Sequence, residues 1–186
     1  MPKVLVPLAK GFEEIEAVSM IDIMRRGGLE VVVAALDDNM DVEGANGIVV
    51  KAERSVAGLS ADDIDMIALP GGWDGTYALA DDANVQALLK AMDEKGKNIG
   101  AICAAPFALK KAGVLKETYT CYPSVEEQIK QEGYQGDRSQ VVQTENVMTS
   151  RGPGTAICFG LQIVKRLMGE ENYNAVREGT LSLHCK

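Results

Sequence analysis

Short apolar segments alternate along this chain with longer segments in which apolar residues recur at helical spacing. The short segments are rich in β-branched or small residues and predict buried strands at Val4–Leu8, Glu30–Ala35, Asp65–Leu69 and Lys97–Ile102. The longer segments predict helices at Glu13–Arg26, Asp81–Glu94, Pro106–Gly113 and Ala156–Met168. This alternation is typical of an α/β fold, in which helices cover both faces of a mostly parallel sheet.

The remaining segments are less regular, and none of them divides the chain. No repeat, linker or low-complexity tract interrupts the sequence, so residues 1–186 are expected to form one domain. We expect a loop or small hairpin at Asp37–Gly47 leading into Ile48–Val50, a strand at Tyr119–Tyr122, a helix at Val125–Lys130, a final strand pair at Val141–Gln143 and Val147–Thr149, and a last helix at Asn172–Glu178.

In the first predicted helix, the apolar residues at helical spacing are expected to face the core. That orientation places Glu16 on the flank of the apolar stripe, beside Met20 and Ile23. The stripe itself comprises Ile15, Val18, Ile21 and Met24 or Arg25.

Ligands of parallel α/β sheets bind beyond the carboxyl ends of the strands. Chemistry is therefore expected in the turns that follow the predicted strands. These turns are Ala9–Glu16, Pro70–Gly75, Cys103 and Ser150–Thr155.

Cys103 lies between an apolar strand and a helix that has Pro106 in its first turn. Unpaired N–H groups and the dipole of a helix N-terminus favour an anion, so we expect them to lower the pKa of the thiol. The residues alone leave two interpretations open: a nucleophile, or a buried cysteine that packs as a small hydrophobic residue.

An activated Cys103 needs a partner group. The only histidine, His184, lies two residues before the end of the sequence, where we expect a frayed tail. Glu16 is the better-placed candidate, because a half-buried carboxyl has a raised pKa, keeps its proton and can donate a hydrogen bond to a thiolate. The alternative for Glu16 is a solvated position on the helix surface.

Backbone donors are the other candidate components of a site. Gly71 and Gly72 follow a predicted strand, and their N–H groups, with that of Ala104, are candidates for an oxyanion hole. A plain tight turn is the alternative for the glycine pair. The loop Arg151–Thr155 resembles an anion site at a helix start, but the glycine motifs of nucleotide-binding proteins are absent.

Composition excludes several classes of protein. The net charge of -8 and a pI near 4.8, without a basic stripe, argue against nucleic-acid binding. No apolar run approaches the ~20 residues of a membrane span, and the sequence enters its first strand without a signal peptide, so we expect a cytoplasmic protein. The cysteines lack paired spacing, which argues against a disulfide framework or a metal site. We expect Cys158 to be inert packing and Cys185 to be incidental.

Five stretches together are similar to the DJ-1/ThiJ/PfpI superfamily, and most similar to its DJ-1 branch. The resemblance implies a flavodoxin-like three-layer sandwich that forms a homodimer and uses no cofactor. The stretches occur in the family's order and are Leu8–Val18, Asp22–Gly28, Leu69–Gly72, Ala101–Pro106 and Thr149–Thr155.

The same resemblance implies roles for individual residues. It makes Cys103 the nucleophile on a strained turn, held by a protonated Glu16, with Gly72 and Ala104 as backbone donors to a developing oxyanion. Two arginines match arginines near the family's pocket or dimer contact, and these are Arg54 and Arg151.

The family is associated with conversion of methylglyoxal and glyoxal to hydroxy acids and with deglycase activity on early glycation adducts. The resemblance thus implies a small α-oxoaldehyde or a glycated substrate. The alternative is a redox sensor or chaperone-like protein that uses oxidation of the same cysteine.

One position departs from the family pattern. Tyr122 precedes Pro123 where many relatives have a histidine, and a phenol with a pKa near 10 is a poor base at neutral pH. Either Glu16 carries out the proton transfers alone or turnover is slow. The missing histidine also makes a glutamine-amidotransferase-like enzyme or a peptidase the least favoured interpretation.

Overall fold

The computed structural model describes all 186 residues and contains nine strands and seven α-helices. The strands are β1 (Lys3–Leu8), β2 (Glu30–Ala35), β3 (Asp41–Glu43), β4 (Val49–Lys51), β5 (Arg54–Ser55), β6 (Met66–Leu69), β7 (Asn98–Ile102), β8 (Val141–Thr144) and β9 (Val147–Ser150). The helices are α1 (Glu14–Arg26), α2 (Trp73–Asp81), α3 (Ala83–Glu94), α4 (Pro106–Ala112), α5 (Val125–Ile129), α6 (Ala156–Met168) and α7 (Glu170–Gly179).

Seven strands form one sheet in the order β5-β2-β1-β6-β7-β9-β8, while β3 and β4 form a separate antiparallel hairpin. Within the large sheet every neighbouring pair is parallel except β8 and β9 at one edge. The predicted α/β class is therefore confirmed. Strands β1, β6, β7 and β9 lie side by side in one direction, so the turns that follow them meet at one edge of the sheet.

Helices cover both faces of the sheet, which gives three layers. On one face, α1, α6 and α7 pack against Val4, Val6 and Leu8 of β1. On the other face, α2, α3 and α4 pack against a core that includes Leu5. Successive side chains of β1 supply both cores because a strand alternates its side chains between the two faces of the sheet.

Helix α1 has a different face toward the core from the one its apolar spacing predicts. Ile15 and Val18 are 58% and 47% exposed, whereas Glu16 is completely buried. The contact with α6 explains this orientation: a Cβ on Gly160 would lie 3.0 Å from Cβ of Ile23, so the two helices approach closely along that side. Tertiary packing thus turns the Glu16 side of the helix inward.

The strand predicted at Tyr119–Tyr122 is wrong. Tyr119 makes only an isolated bridge to Tyr134. The N–H of Thr120 donates to the side-chain hydroxyl of Thr149 on β9 (2.9 Å), and not to a backbone carbonyl of that strand. Single hydrogen bonds, and not a β-ladder, hold this segment against the sheet.

The helix predicted at Asp81–Glu94 begins later, at Ala83, and a second helix precedes it. The sequence does not predict α2, because Gly75 and Thr76 early in that helix have low helix propensity. Asp82 separates the two helices, and its carboxylate caps α3 by accepting from the Val85 N–H at 2.8 Å.

Candidate active site

Cys103 directly follows β7 and has a left-handed backbone conformation, with φ of 65°. For a residue other than glycine this conformation costs on the order of 1 kcal/mol or more. Two backbone bonds hold it in place. The Cys103 N–H donates to the Ser150 carbonyl at the end of β9 (3.0 Å), and the Cys103 carbonyl accepts from the Tyr122 N–H (2.9 Å). Neighbouring segments thus fix the strained turn.

Glu16 projects from the first turn of α1 toward the same edge of the sheet. Its carboxyl is completely buried, and Oε2 accepts a hydrogen bond from the Gly71 N–H at 2.7 Å. The other oxygen, Oε1, is also buried and has no well-aligned hydrogen-bond partner. A solvated surface position, the alternative left open for this residue, is therefore wrong.

Gly71 lies where the Glu16 and Cys103 side chains meet. A Cβ at Gly71 would lie 2.6 Å from Oε2 of Glu16, 2.6 Å from Cβ of Cys103 and 3.1 Å from its Sγ. Only a residue without a side chain fits there. The absence of that side chain is what allows the carboxyl and the sulfur to approach each other.

Two backbone N–H groups complete the surroundings of the sulfur. Gly72, with φ of 88°, precedes α2, and Ala104 follows Cys103; the N–H groups of both residues lower the pKa of the Cys103 thiol. The structure thus brings together Cys103, Glu16, Gly71, Gly72 and Ala104, although they come from three separate parts of the chain.

Burial raises the pKa of Glu16 to about 7, against the opposing effects of its hydrogen bonds to Cys103 and Gly71. Burial also raises the pKa of the Cys103 thiol, and an ionised Glu16 raises it further, while the N–H groups of Gly72 and Ala104 lower it. The expectation of a lowered thiol pKa is therefore wrong: the two N–H groups do lower it, but burial outweighs them.

The two groups are therefore coupled through the proton that they share. When Glu16 holds the proton, the repulsion between the two charges disappears and the carboxyl can donate to the sulfur. The state that can attack a carbonyl is the one with a neutral Glu16 and a Cys103 thiolate.

Tyr122 and Arg151 lie near this centre. The backbone N–H of Tyr122 donates to the carbonyl of Cys103. The ring of Tyr122 is half-exposed and lies against Gly152; a Cβ added at Gly152 would be 3.2 Å from this ring. Arg151 follows β9 and has a buried Nε without a hydrogen-bond partner. Burial and the charge of Glu126 raise the pKa of Cys121 to about 12, and the charge of Arg151 opposes them.

Arg54 is not brought to Cys103 within one chain. It lies exposed on β5, at the edge of the sheet, four strands away from β7. At a strand spacing of about 4.8 Å this is a separation of roughly 19 Å. A pocket role for Arg54 in the same chain is therefore wrong, and a role at a dimer contact stays a prediction.

An aromatic cluster lies beside Gly72. Trp73 stacks on Tyr77 with ring centroids 5.4 Å apart, and Tyr77 packs edge-on against Phe107 at 5.6 Å. The packing of the three rings depends on helix α2, which the sequence does not predict.

The expectation of unpaired cysteines is wrong for two of the four. Cys158 on α6 and Cys185, in the segment after α7, form a disulfide, while Cys103 and Cys121 are free and buried. A separation of 27 residues gives no spacing signal, and only the packing of that segment against α6 brings the pair together. His184 contacts Cys185 and takes no part at Cys103.

No helix has both the length and the apolar character needed to cross a membrane.

The model of the DJ-1/PfpI family matches residues 2–166. The glutathione-independent glyoxalase DJ-1 of Schizosaccharomyces pombe is 34% identical over 184 residues, which cover 95% of this chain and 96% of that protein. The glutathione-independent glyoxalase DJR-1.2 of Caenorhabditis elegans is 36% identical over 164 residues, covering 88% of this chain and 87% of the relative.

A solved structure shows the same architecture. The crystal structure of DJ-1beta from Drosophila melanogaster superposes with a TM-score of 0.92 at 38% identity, over 97% of each chain. The flavodoxin-like sandwich implied by the sequence is thereby confirmed. With a family model covering most of its length and relatives of this similarity, the chain belongs to the DJ-1/PfpI family.

Proposed function

We propose that this protein is a cofactor-independent glyoxalase that converts small α-oxoaldehydes, such as methylglyoxal and glyoxal, into hydroxy acids. The observation that carries the proposal is the buried Glu16 carboxyl beside the Cys103 sulfur, with a pKa raised to about 7. Two relatives named glutathione-independent glyoxalases support the reaction class. Early glycation adducts of the same aldehydes are the second substrate class that this site would accept.

The first step forms a carbon–sulfur bond. The Cys103 thiolate attacks the aldehyde carbon, and the carbonyl electron pair moves to oxygen to give an alkoxide. The N–H groups of Gly72 and Ala104, which lower the pKa of the Cys103 thiol in the free protein, would stabilise that oxygen. Glu16 donates its proton to the alkoxide, which yields a neutral hemithioacetal.

The second step moves a proton between the two carbons. The Glu16 carboxylate removes the proton from the former aldehyde carbon, and an enediolate forms. Glu16 returns that proton to the neighbouring carbon while the hydroxyl proton moves from one oxygen to the other, which gives a thioester. Water then hydrolyses the thioester to the hydroxy acid and the free thiol. A carboxyl with a pKa near the working pH is suited to both directions of transfer.

Tyr122 does not supply a second base in this scheme. Half of its side chain is exposed, and Tyr122 bonds to Cys103 through its backbone N–H. In this scheme Glu16 carries out every proton transfer. Its carboxyl must therefore be protonated again before the next turnover.

The test is to incubate the purified protein with methylglyoxal without glutathione and to follow the product by NMR in H2O and in D2O. We expect catalytic formation of the hydroxy acid, lost in Cys103→Ser and retained in the matched thiol variant Cys121→Ser. Glu16→Gln separates the two steps. It should retain alkylation of Cys103 by iodoacetamide within a few-fold, while turnover falls by about 10²-fold or more.

Stoichiometric loss of aldehyde that is equal in the wild type and Cys103→Ser would refute the proposal, because surface amines and thiols would account for it. Equal turnover of Glu16→Gln and the wild type would refute the role of Glu16.

A redox sensor is the second candidate. The observation that favours it is the unpartnered Oε1 of Glu16 beside a free thiol with two N–H donors, a set that would hold the oxygens of an oxidised sulfur. Dilute peroxide followed by intact-mass analysis tests it. Two added oxygens on Cys103, with no turnover of methylglyoxal, would favour this candidate.

We also propose a homodimer formed through an exposed apolar surface. Glu14 accepts hydrogen bonds from the N–H groups of Asn46 and Ile48, which fixes the β3–β4 hairpin against the start of α1. Ile15, Val18, Ile48 and Val49 are between 47% and 58% exposed around this junction. A surface of this kind suits a two-fold contact with a second copy of the chain, and sedimentation equilibrium measures it.

A cytoplasmic location is part of the same proposal. Two thiols, Cys103 and Cys121, are free, which suits a compartment that keeps thiols reduced. In that compartment the Cys158–Cys185 disulfide would be reduced to two thiols.

A further inference from the structure

The segment after α7 carries a group of metal-binding side chains that the proposed reaction does not use. Sγ of Cys158, Sγ of Cys185 and a ring nitrogen of His184 all lie within 4.8 Å of one another. Both cysteines are almost completely buried, at 1% exposure each, while His184 is exposed. We call these three residues the Cys158–His184–Cys185 cluster.

We propose that the Cys158–His184–Cys185 cluster is a binding site for a thiophilic divalent cation of the zinc class, and that the disulfide is its oxidised, closed state. Two thiolates and one imidazole are a ligand set of zinc sites with an open position. The exposed side of His184 leaves that fourth position to water.

The distances within the cluster fit one tetrahedral ion. Zinc binds sulfur at about 2.3 Å and imidazole nitrogen at about 2.0–2.1 Å, so a bound sulfur and nitrogen lie roughly 3.5–3.6 Å apart. Sγ of Cys185 and Nε2 of His184 are 3.6 Å apart. The same geometry places two bound sulfurs about 3.8 Å apart. With Cα atoms 5.1 Å apart, Cys158 and Cys185 can reach that separation by side-chain rotation once their bond is broken.

Other bonds hold the backbone of this segment in place without the disulfide. The Arg177 guanidinium donates to the carbonyls of Cys185 (2.8 Å) and Leu183 (2.9 Å). The side chain of Gln162 donates to the Lys186 carbonyl at 2.8 Å. These bonds on both sides of His184 and Cys185 would keep the three ligands together after reduction.

Reduction converts the disulfide state into the state that binds the cation. A dithiol reductant attacks one sulfur of the Cys158–Cys185 bond and then closes its own disulfide, which supplies two electrons and two protons and leaves two thiols. The cation then replaces the two thiol protons. The ion and the disulfide cannot coexist, because both use the same two sulfurs.

The experiment titrates the full-length protein with cobalt chloride under anaerobic conditions, after reduction with a phosphine that is removed by gel filtration. We expect one equivalent of Co²⁺ per chain with a thiolate-to-cobalt charge-transfer band, displaced by zinc chloride. The oxidised protein and the variant with both Cys158→Ser and Cys185→Ser should show no such band. Cys121→Ser and Cys103→Ser should retain it, since neither thiol belongs to the cluster.

His184→Asn is the variant expected to leave the fold intact, because the side chain is exposed. We expect its Co²⁺ affinity to fall at least tenfold while the charge-transfer band of two thiolates remains. No band in the reduced wild type, a band that survives in the double serine variant, or unchanged affinity in His184→Asn would each overturn the proposal.

Discussion

At the scale of single residues, the chemistry of the site depends on one proton held between Glu16 and Cys103. A solvated carboxyl would lose that proton well below neutral pH, whereas the buried Glu16 has a pKa of about 7. This change makes the carboxyl both a donor to the thiolate and a base for the next step.

The same proton makes the stability of the fold depend on pH. Between pH 4.5 and about 7 the folded protein holds a proton on Glu16 that the unfolded chain releases, so stability falls as pH rises. The raised pKa sets this loss at up to about 3 kcal/mol. Urea unfolding at pH 5 and pH 7.5 should show a smaller loss in Glu16→Gln than in the wild type. An identical loss in both proteins would contradict the assignment.

Gly71 offers a second prediction at this scale. We expect Gly71→Ala to push Glu16 and Cys103 apart, because the new Cβ would lie 2.6 Å from Oε2 and from Cβ of Cys103. Turnover should fall at least tenfold, with a loss of about 1–3 kcal/mol in stability. Gly154→Ala is the matched control, since a Cβ there meets nothing within 4 Å, and steady-state kinetics with methylglyoxal compares the two.

At the level of secondary structure, the parallel strands bring the parts of the site together at one edge of the sheet. Helix α1 supplies Glu16. Strands β1, β6, β7 and β9 end at one edge of the sheet, and the turns that follow them carry Glu16, Gly71, Cys103 and Arg151. No single element contains more than a part of the site, so its geometry depends on the register of the whole sheet.

Substitution of Asp82, at the boundary of α2 and α3, should change the stability of the fold without changing the rate of the reaction. Its carboxylate caps α3 through the Val85 N–H, and losing an N-cap costs about 1 kcal/mol. Asp82→Ala should therefore lower the free energy of unfolding by about that amount, with kcat unchanged, because the cap contacts no residue of the site. Asp82→Asn keeps a capping oxygen and should lose less; a fall in kcat for Asp82→Ala would show that α2 and α3 position the site.

At the scale of the whole molecule, the outer face of α1 links the site to assembly. The face of α1 that buries Glu16 is the reason why Ile15 and Val18 point outward. One rotation of the helix thus produces both the catalytic pair and an exposed apolar surface.

Charge on that surface should dissociate the proposed dimer. We expect Val18→Lys and Ile48→Lys each to shift the mass measured by sedimentation equilibrium toward that of one chain, because two like charges would face each other across a two-fold axis. Leu181→Lys, at a residue 80% exposed in another part of the surface, is the control and should leave the mass unchanged. A wild type with the mass of one chain would refute the dimer itself.

The fold class and the location of the active site could both be predicted from the pattern of residues. Alternating strands and helices require a covered parallel sheet, and such a sheet brings the turns after its strands to one edge. Cys103, Gly71 and Gly72 could be selected from that rule, and local patterns also gave the ends of most strands.

The contacts between individual side chains depend on how the layers pack, and no local pattern predicts them. The apolar spacing of α1 predicts an exposed or flanking Glu16, yet its packing against α6 buries that carboxyl and so raises its pKa. The pairing of Cys158 with Cys185 likewise depends on tertiary structure, because it requires the segment after α7 to pack against α6. Local patterns report periodicity, whereas burial, charge coupling and contacts between distant residues exist only after the layers have packed.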